Sequence, residues 1–344
     1  MPLAKRPTIA DVARAAGVSP ATVDRVLNGR ERVREETARR VYDTAVAIGY
    51  HASGLIAQRM GEDLPRMRFG FVLSKARQSF YRTLAAELEA VVAQADGIRG
   101  QCEIAYAPSQ SPADIAAEIV RMRGRVDAIA ACSVAHPDLT ELVGDLKRDG
   151  IPTFALMNDF AQGVRHAYVG LNNLKVGRIA AQMLSLASRP GKIGIFVGGF
   201  RWHGHELRET GLRSYFRENA PAFNVLDTFV NLETRQLTYE ATLDLLNRHP
   251  GIVGIYCAGG GMEGAIAALR EARKPKEVAL VVNELTPESR AGLTDGYVTL
   301  VISTPVPTLC RDLVKLMREA VQEGPSDLTR QVFLRPDLIL AEVI

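Results

Sequence analysis

From residue 67 onward the chain alternates short apolar runs with longer segments whose apolar positions recur every three to four residues. The runs are FGFVLS, CEIAYA, DAIAAC, TFALMN, HAYVGL, KIGIFVG, NVLDTFV, IVGIYCA, VALVV and VTLVIST. Apolar runs of this length bounded by turn residues predict buried strands, and segments such as YRTLAAELEAVVAQ and YEATLDLLNRH predict amphipathic helices between them. Repeated βα alternation predicts parallel sheets covered by helices on both faces. Ten or more strands fall into two sets, the second beginning near Leu171, so the expected class is α/β with two doubly wound lobes. The polar stretch GEDLPRMR ahead of the first strand reads as a linker.

The first fifty residues follow a different period. TIADVARAAGVSPATVDRVLNGR predicts two short helices meeting at a tight turn. Thr8 with Asp11 makes a capping box, and Ile9, Val12 and Ala13 form an apolar face. Gly17 supplies the left-handed residue that ends the first helix, Ser19 caps the second, and Pro20 sits where a missing N–H costs nothing. Val23, Val26 and Leu27 face inward, and Gly29 follows as a stop. A third helix, from about Glu35 to Ile48, buries Ala38, Val41, Tyr42 and Ala45. Two helices joined by so short a turn form a helix-turn-helix unit whose second helix can enter the major groove of DNA. Its outward face carries Ala21, Thr22, Asp24, Arg25 and Asn28. Of these, arginine can bridge guanine O6 and N7, threonine can reach a base edge or methyl, and asparagine can pair with adenine or hold a phosphate.

Charge supports this division. The chain of 344 residues carries a net +3, yet residues 1–60 hold ten Lys/Arg against six Asp/Glu and the rest 32 against 33, so the basic excess sits at the N-terminus. A local excess is what phosphate neutralisation requires. No apolar run reaches the roughly 18 residues of a membrane span, and MPLAKRPTIADVARAAG lacks the apolar stretch of a signal peptide; the expected location is the cytoplasm. Cys102, Cys132, Cys257 and Cys310 are scattered singly, which predicts free thiols and no metal site.

TIADVARAAGVSPATVDRVLNGR followed by VREETARRVYDTAVAIGY resembles the DNA-binding headpiece of the lactose-repressor (LacI/GalR) family over about fifty residues, in order and spacing. The resemblance implies DNA contacts at Pro20, Ala21, Thr22, Arg25 and Asn28, together with Thr8 and Ser19. Asp24 departs from the family, which usually has serine there. A carboxylate near phosphates is repelled unless it accepts from a cytosine amine or pairs with a neighbour such as Arg25 or Arg14. After Tyr50 the family's hinge helix places a leucine in the minor groove. Here the segment is HASGLIAQRM with Arg59 at that position, so the wedge is Leu55 or Met60, or this hinge bends DNA by other means.

The two-lobed remainder resembles the type I periplasmic-binding-protein core of the same family. That implies a headpiece at 1–50, hinge and linker at 51–67, and an effector-binding and dimerisation domain at 68–344, with chain crossings near Gly170, Ser303 and Leu328. Lobe 1 would comprise about 68–170 and 304–328, lobe 2 about 171–303 and 329–344. Strand C-terminal ends would face an effector cleft.

Candidate effector residues follow from those loop ends. QSFYRT offers Ser79, Phe80 and Tyr81, whose rings either stack on a sugar's C–H face or pack as helix residues. Asp159 either takes paired hydroxyls or caps its loop. Arg208 to Gly211 is the family's R-x-x-G, with His205 and Glu206 just before it and Trp202 and His203 nearby. Asn283, where many relatives carry a sugar-binding aspartate, can both donate and accept; Glu284 follows it. Asn172 either faces the cleft or caps a helix.

GGGMEG, Gly259 to Gly264, has the G-x-G-x-x-G spacing of a dinucleotide turn, with Glu284 about where a ribose-binding acid belongs. The family resemblance instead puts Gly259 and Gly260 at the effector cleft. The expected function is a repressor-type DNA-binding regulator, controlled by a sugar or sugar alcohol and presenting two headpieces to a pseudo-palindromic operator as a homodimer. It needs no cofactor and is not an enzyme. The alternative is an NAD(P)-dependent oxidoreductase with an appended DNA-binding domain.

Overall fold

The computed structural model describes residues 7–28, 33–53, 56, 64–324, 326 and 328–344. The N-terminal unit contains α1 (Ile9–Ala16), α2 (Pro20–Asn28) and α3 (Glu35–Ala47). Thr8 Oγ1 accepts from Asp11 N while Asp11 Oδ2 accepts from Thr8 N at 2.9 Å, which completes the predicted capping box. Gly17 adopts φ 65°, the left-handed conformation that glycine reaches without strain. Val12, Ala13, Ala16, Val23, Val26, Leu27, Val41 and Ala45 form the buried core, with Ala38 and Tyr42 packed at its margin. The hinge candidates Leu55, Arg59 and Met60, and the stop Gly29, lie outside the described residues.

The larger unit contains two sheets. The first has strand order β12-β5-β4-β3-β1-β2, from β1 (Arg66–Leu73), β2 (Arg99–Tyr106), β3 (Ala128–Ala131), β4 (Thr153–Leu156), β5 (Ala167–Leu171) and β12 (Arg330–Leu334). The second runs β13-β11-β10-β9-β6-β7, from β6 (Lys192–Val197), β7 (Asn224–Val225), β9 (Ile252–Cys257), β10 (Ala279–Asn283), β11 (Leu300–Ser303) and β13 (Asp337–Ile339); β8 (Phe229–Val230) pairs with β6 off this path. Pairing is parallel except for β13 on β11. The helices that interleave these strands are α4 (Ser79–Ala93), α5 (Pro112–Met122), α6 (Pro137–Arg148), α7 (Asn173–Ala187), α8 (His203–Asn219), α9 (Arg235–Arg248), α10 (Met262–Ala272), α11 (Pro287–Thr294) and α12 (Val306–Glu323). All ten apolar runs became strands; NVLDTFV became two, because Asn224–Val225 and Phe229–Val230 pair with β6 while the interior between them turns to Arg213, whose Nη2 donates to Leu226 O and Thr228 Oγ1.

The crossing expected near Leu328 lies further on. Arg330–Leu334 pairs in parallel with β5, so residues 329–334 belong to the first lobe, and the chain passes over between Leu334 and Asp337. RQVFL is a mostly exposed edge strand with little apolar signal, and what holds it is tertiary: Arg330 N donates to His166 O, and Arg165 Nη1 donates to Arg330 O at 2.9 Å.

Candidate functional site

Helix α2 presents Pro20, Ala21, Arg25 and Asn28 to solvent, with Thr22 half-buried. Ser19 Oγ accepts from Thr22 N at 3.1 Å, and the two hydroxyls lie 2.9 Å apart, so Ser19 fixes both the cap and the Thr22 side chain. Asp24 does not turn to Arg14, which lies 3.6 Å from Asp11. Its Oδ1 accepts from Asn28 Nδ2 at 2.7 Å, one helical turn on. The bond occupies one of the two N–H groups of the Asn28 amide.

In the larger unit, the strand C-terminal ends of both lobes border a cavity of about 460 Å³. Ser79, Phe80, Tyr81, His205, Arg208, Gly259, Gly260, Asn283 and Glu284 all line it. Three candidates do not. The Asp159 carboxylate is buried against Arg165, accepting from Nε at 2.5 Å and Nη2 at 2.8 Å, with Gln162 and Gln331 also donating to it. It is part of a structural ion pair that ties the loop after β4 to β12. Glu206 projects from the first turn of α8 into solvent, 3.6 Å from His203 Nδ1, because its neighbour His205 occupies the inward position. Asn172 caps α7 by accepting from Lys175 N at 3.1 Å.

Arg208 is positioned by close helix packing. A Cβ on Gly211 would collide with the Leu174 carbonyl, and one on Gly177 with the Arg208 carbonyl, so these glycines let α7 and α8 touch backbone to backbone. The guanidinium then donates from Nε to Asn173 Oδ1 at 2.8 Å and from Nη1 to Ala258 O at 2.6 Å. In the same lobe, Glu284 accepts from Thr304 N at 2.9 Å, Thr304 Oγ1 at 2.7 Å and Ser303 Oγ at 3.2 Å. Burial lifts its carboxyl above the ordinary value, against the pull of those Thr304 donors. Asn283 Oδ1 accepts from Tyr256 OH at 2.9 Å and its Nδ2 donates to Ile302 O at 3.4 Å, so half of its hydrogen-bonding capacity is already used by the protein.

Sequence reasoning missed the most strongly coupled group. Glu233, on the loop after β8, accepts from Lys75 Nζ at 2.6 Å, Gln110 Nε2 at 2.9 Å and Gly260 N at 3.0 Å. Burial alone would raise its carboxyl pKa, but the Lys75 ammonium and the Gly260 N–H overcome this and hold it at about 2. His205 Nε2 lies 3.6 Å from the same carboxylate. Its Nδ1 accepts from Gly198 N at 3.1 Å, so the neutral ring carries its proton on Nε2; burial brings its pKa down to about 4. A local signal existed in the backbone: Lys75, Met157, Glu233 and Glu284 have φ of 52°, 62°, 53° and 67°, and all four line the cavity. Left-handed non-glycine residues concentrate where the surroundings force them, and functional sites are such places.

The glycines of GGGMEG are explained by these neighbours. A Cβ on Gly259 would sit 2.5 Å from His205 Cε1, one on Gly260 3.0 Å from Glu233 Cβ, and one on Gly264 against the backbone of α9. Gly261 itself has φ 89° at the start of α10. The spacing thus serves packing around Glu233 and between α9 and α10.

A helix-turn-helix headpiece ahead of a two-lobed, parallel-sheet core with a polar interlobe cavity defines a DNA-binding protein of the ligand-binding type. The chain matches the bacterial regulatory proteins of the lacI family over residues 8–53 and the periplasmic binding protein domain family over residues 69–325. It belongs to the lacI family of transcriptional regulators, with a periplasmic-binding-protein domain as its core. It is similar to the HTH-type transcriptional regulator GalS of Salmonella typhimurium, 24% identical over 338 residues, 96% of this chain and 95% of that one. It is also similar to the HTH-type transcriptional regulator MalR of Streptomyces coelicolor, 27% identical over 347 residues, with 96% and 95% covered. In fold, the core is similar to an ABC transporter solute-binding protein from Agrobacterium vitis bound with α-D-tagatopyranose, at TM-score 0.72 and 19% identity, covering 80% of this chain and 95% of that one. The chain is a DNA-binding transcriptional regulator, and the dinucleotide-enzyme reading is not favoured.

Proposed function

We propose that this regulator is a repressor whose operator affinity is set by a sugar or sugar alcohol bound between the lobes. The observation that carries the effector reading is Arg208. Its Nε and Nη1 are fixed by Asn173 and Ala258, and Nη2 makes no hydrogen bond among the described residues. A cation held rigidly on one edge and open on the other suits a hydroxyl oxygen. Phe80 and Tyr81 line the same cavity, and Glu284 offers acceptor oxygens. Among the relatives, GalS and MalR are transcriptional regulators, and the tagatose-bound fold neighbour holds a sugar. The protein acts in the cytoplasm as a homodimer, whose two α2 helices read a pseudo-palindromic site through Pro20, Ala21, Thr22, Arg25 and Asn28, with Thr8 and Ser19 also at the DNA. A single helix reads too few base pairs for useful specificity. It catalyses no reaction. Binding of effector and of operator is reciprocal: each shifts the other by the same factor.

A thermal-shift screen of the purified protein against sugars, polyols, sugar phosphates, purines and NAD(P) tests this, since a ligand that binds only the folded state raises the melting temperature. A rise with a sugar or polyol supports the proposal. A rise with NAD(P) alone sinks it and revives the enzyme reading.

On the headpiece, Asp24→Asn removes a charge from the DNA-facing helix while keeping an acceptor for Asn28. Exposed charge interactions contribute about 0.2–1 kcal/mol, so affinity for random-sequence duplex in low salt should rise roughly one and a half- to fivefold. Fluorescence anisotropy measures it, and unchanged affinity would show that Asp24 lies clear of phosphates.

A further inference from the structure

The bonds to Glu233 cross the cleft. Lys75 follows β1 and Gln110 follows β2, both in the first lobe, whereas Glu233, Gly260 and His205 stand in the second. One carboxylate oxygen takes the two first-lobe donors and the other takes the Gly260 N–H, with His205 Nε2 beside it. The Lys75 and Glu233 side chains are only 19% and 11% exposed. We propose that Lys75, Gln110 and Glu233 form a clasp that draws the two lobes together through the chain's own side chains, so that effector enters a cleft already biased toward closure. The proposal rests on reading the cavity as the effector site.

Three independent features support it. A buried ion pair contributes net attraction only where its geometry is good and its remaining lone pairs are satisfied, and the two Glu233 oxygens have donors from both lobes. Lys75 and Glu233 are both held in the left-handed backbone region, which L side chains keep only when the surroundings over-determine it. The turn opposite is cut to fit: a Cβ on Gly259 would come 2.9 Å from Glu233 Oε1, and one on Gly260 would come 3.4 Å from Lys75 Nζ. The glycine turn that reads as a dinucleotide fingerprint is the seat of this clasp.

The test measures the distance between lobes in purified full-length protein without added ligand. Spin labels go on cysteines replacing the exposed Ala117 and Ala291, one in each lobe, in a chain carrying Cys102→Ser so that the one thiol that is not buried is removed. Labelled protein is diluted into unlabelled protein so that only distances within one chain are read. Without further change the distribution should be narrow. Lys75→Met and Glu233→Ala should each broaden it toward longer distances, and the double variant should match the single ones, because two members of one pair do not act additively. Should Glu233→Ala fail to fold cooperatively, Lys75→Met, which keeps the apolar stem, carries the measurement. Distributions unchanged in the single variants, or displacements that add in the double, overturn the clasp. If the clasp variants open but no sugar or polyol raises the melting temperature of the parent chain, the clasp stands and the effector reading falls.

Discussion

Arg208→Ala weakens the effector identified by thermal shift by about tenfold to a hundredfold, with the cooperative thermal transition retained. A hydrogen bond to a charged group contributes roughly 1.5–3 kcal/mol, and each 1.4 kcal/mol is about tenfold in affinity. The loss has a second source, because Nε and Nη1 also tie α8 to Asn173 and to the Ala258 carbonyl at the end of β9. Arg208→Lys should recover little, since an ammonium is a point donor and cannot hold both of those acceptors while reaching a ligand. Isothermal titration of the three proteins decides the matter. An affinity kept within twofold in Arg208→Ala would remove Arg208 from the site and with it the main support for the effector reading.

Asp159→Ala has the opposite signature: stability falls and ligand affinity stays. Its carboxylate is the counter-charge of Arg165, whose side chain is 3% exposed, and Arg165 in turn holds the backbone of β12 through Arg330 O. Removing one member of a buried pair leaves the other charge without compensation, at a cost of about 3–5 kcal/mol. At roughly 2–4 °C per kcal/mol for a domain of this size, the melting temperature should fall by about 6–20 °C. Differential scanning calorimetry measures the fall, and titration with the same effector measures the affinity. A loss of binding with unchanged melting would return Asp159 to the role its loop position suggests.

Much of the fold was legible because it is written in local period. Thr8, Gly17, Ser19 and Pro20 are where the chain must start and stop two helices, and the structure forms those caps. Eight of the ten apolar runs became largely buried strands, because a buried parallel strand needs a continuous apolar stretch, while CEIAYA and NVLDTFV formed strands at the sheet margins with no buried residue. The edge strand Arg330–Leu334 was not legible, since an exposed strand held by a buried arginine from elsewhere carries no apolar signature. The site divides in the same way. Loop-end positions such as Ser79, Gly259 and Glu284 follow from knowing which ends of the strands face the cleft, whereas Arg208, inside helix α8, was reached through the R-x-x-G resemblance. Asp159 and Glu206 satisfied the same positional logic and were misplaced, one by a buried partner six residues on, the other by a helical turn that directs its neighbour inward.

The sequence by itself determined the two kinds of module and the order of their elements, because each depends on residues within one helix, strand or turn. Tertiary structure alone decided what the charges do. Lys75 and Gln110 meet Glu233 across 158 and 123 residues of chain. A carboxylate is a structural counter-ion, an interlobe clasp or a ligand acceptor according to which donors the fold brings within about 3 Å, and no spacing along the chain records that distance.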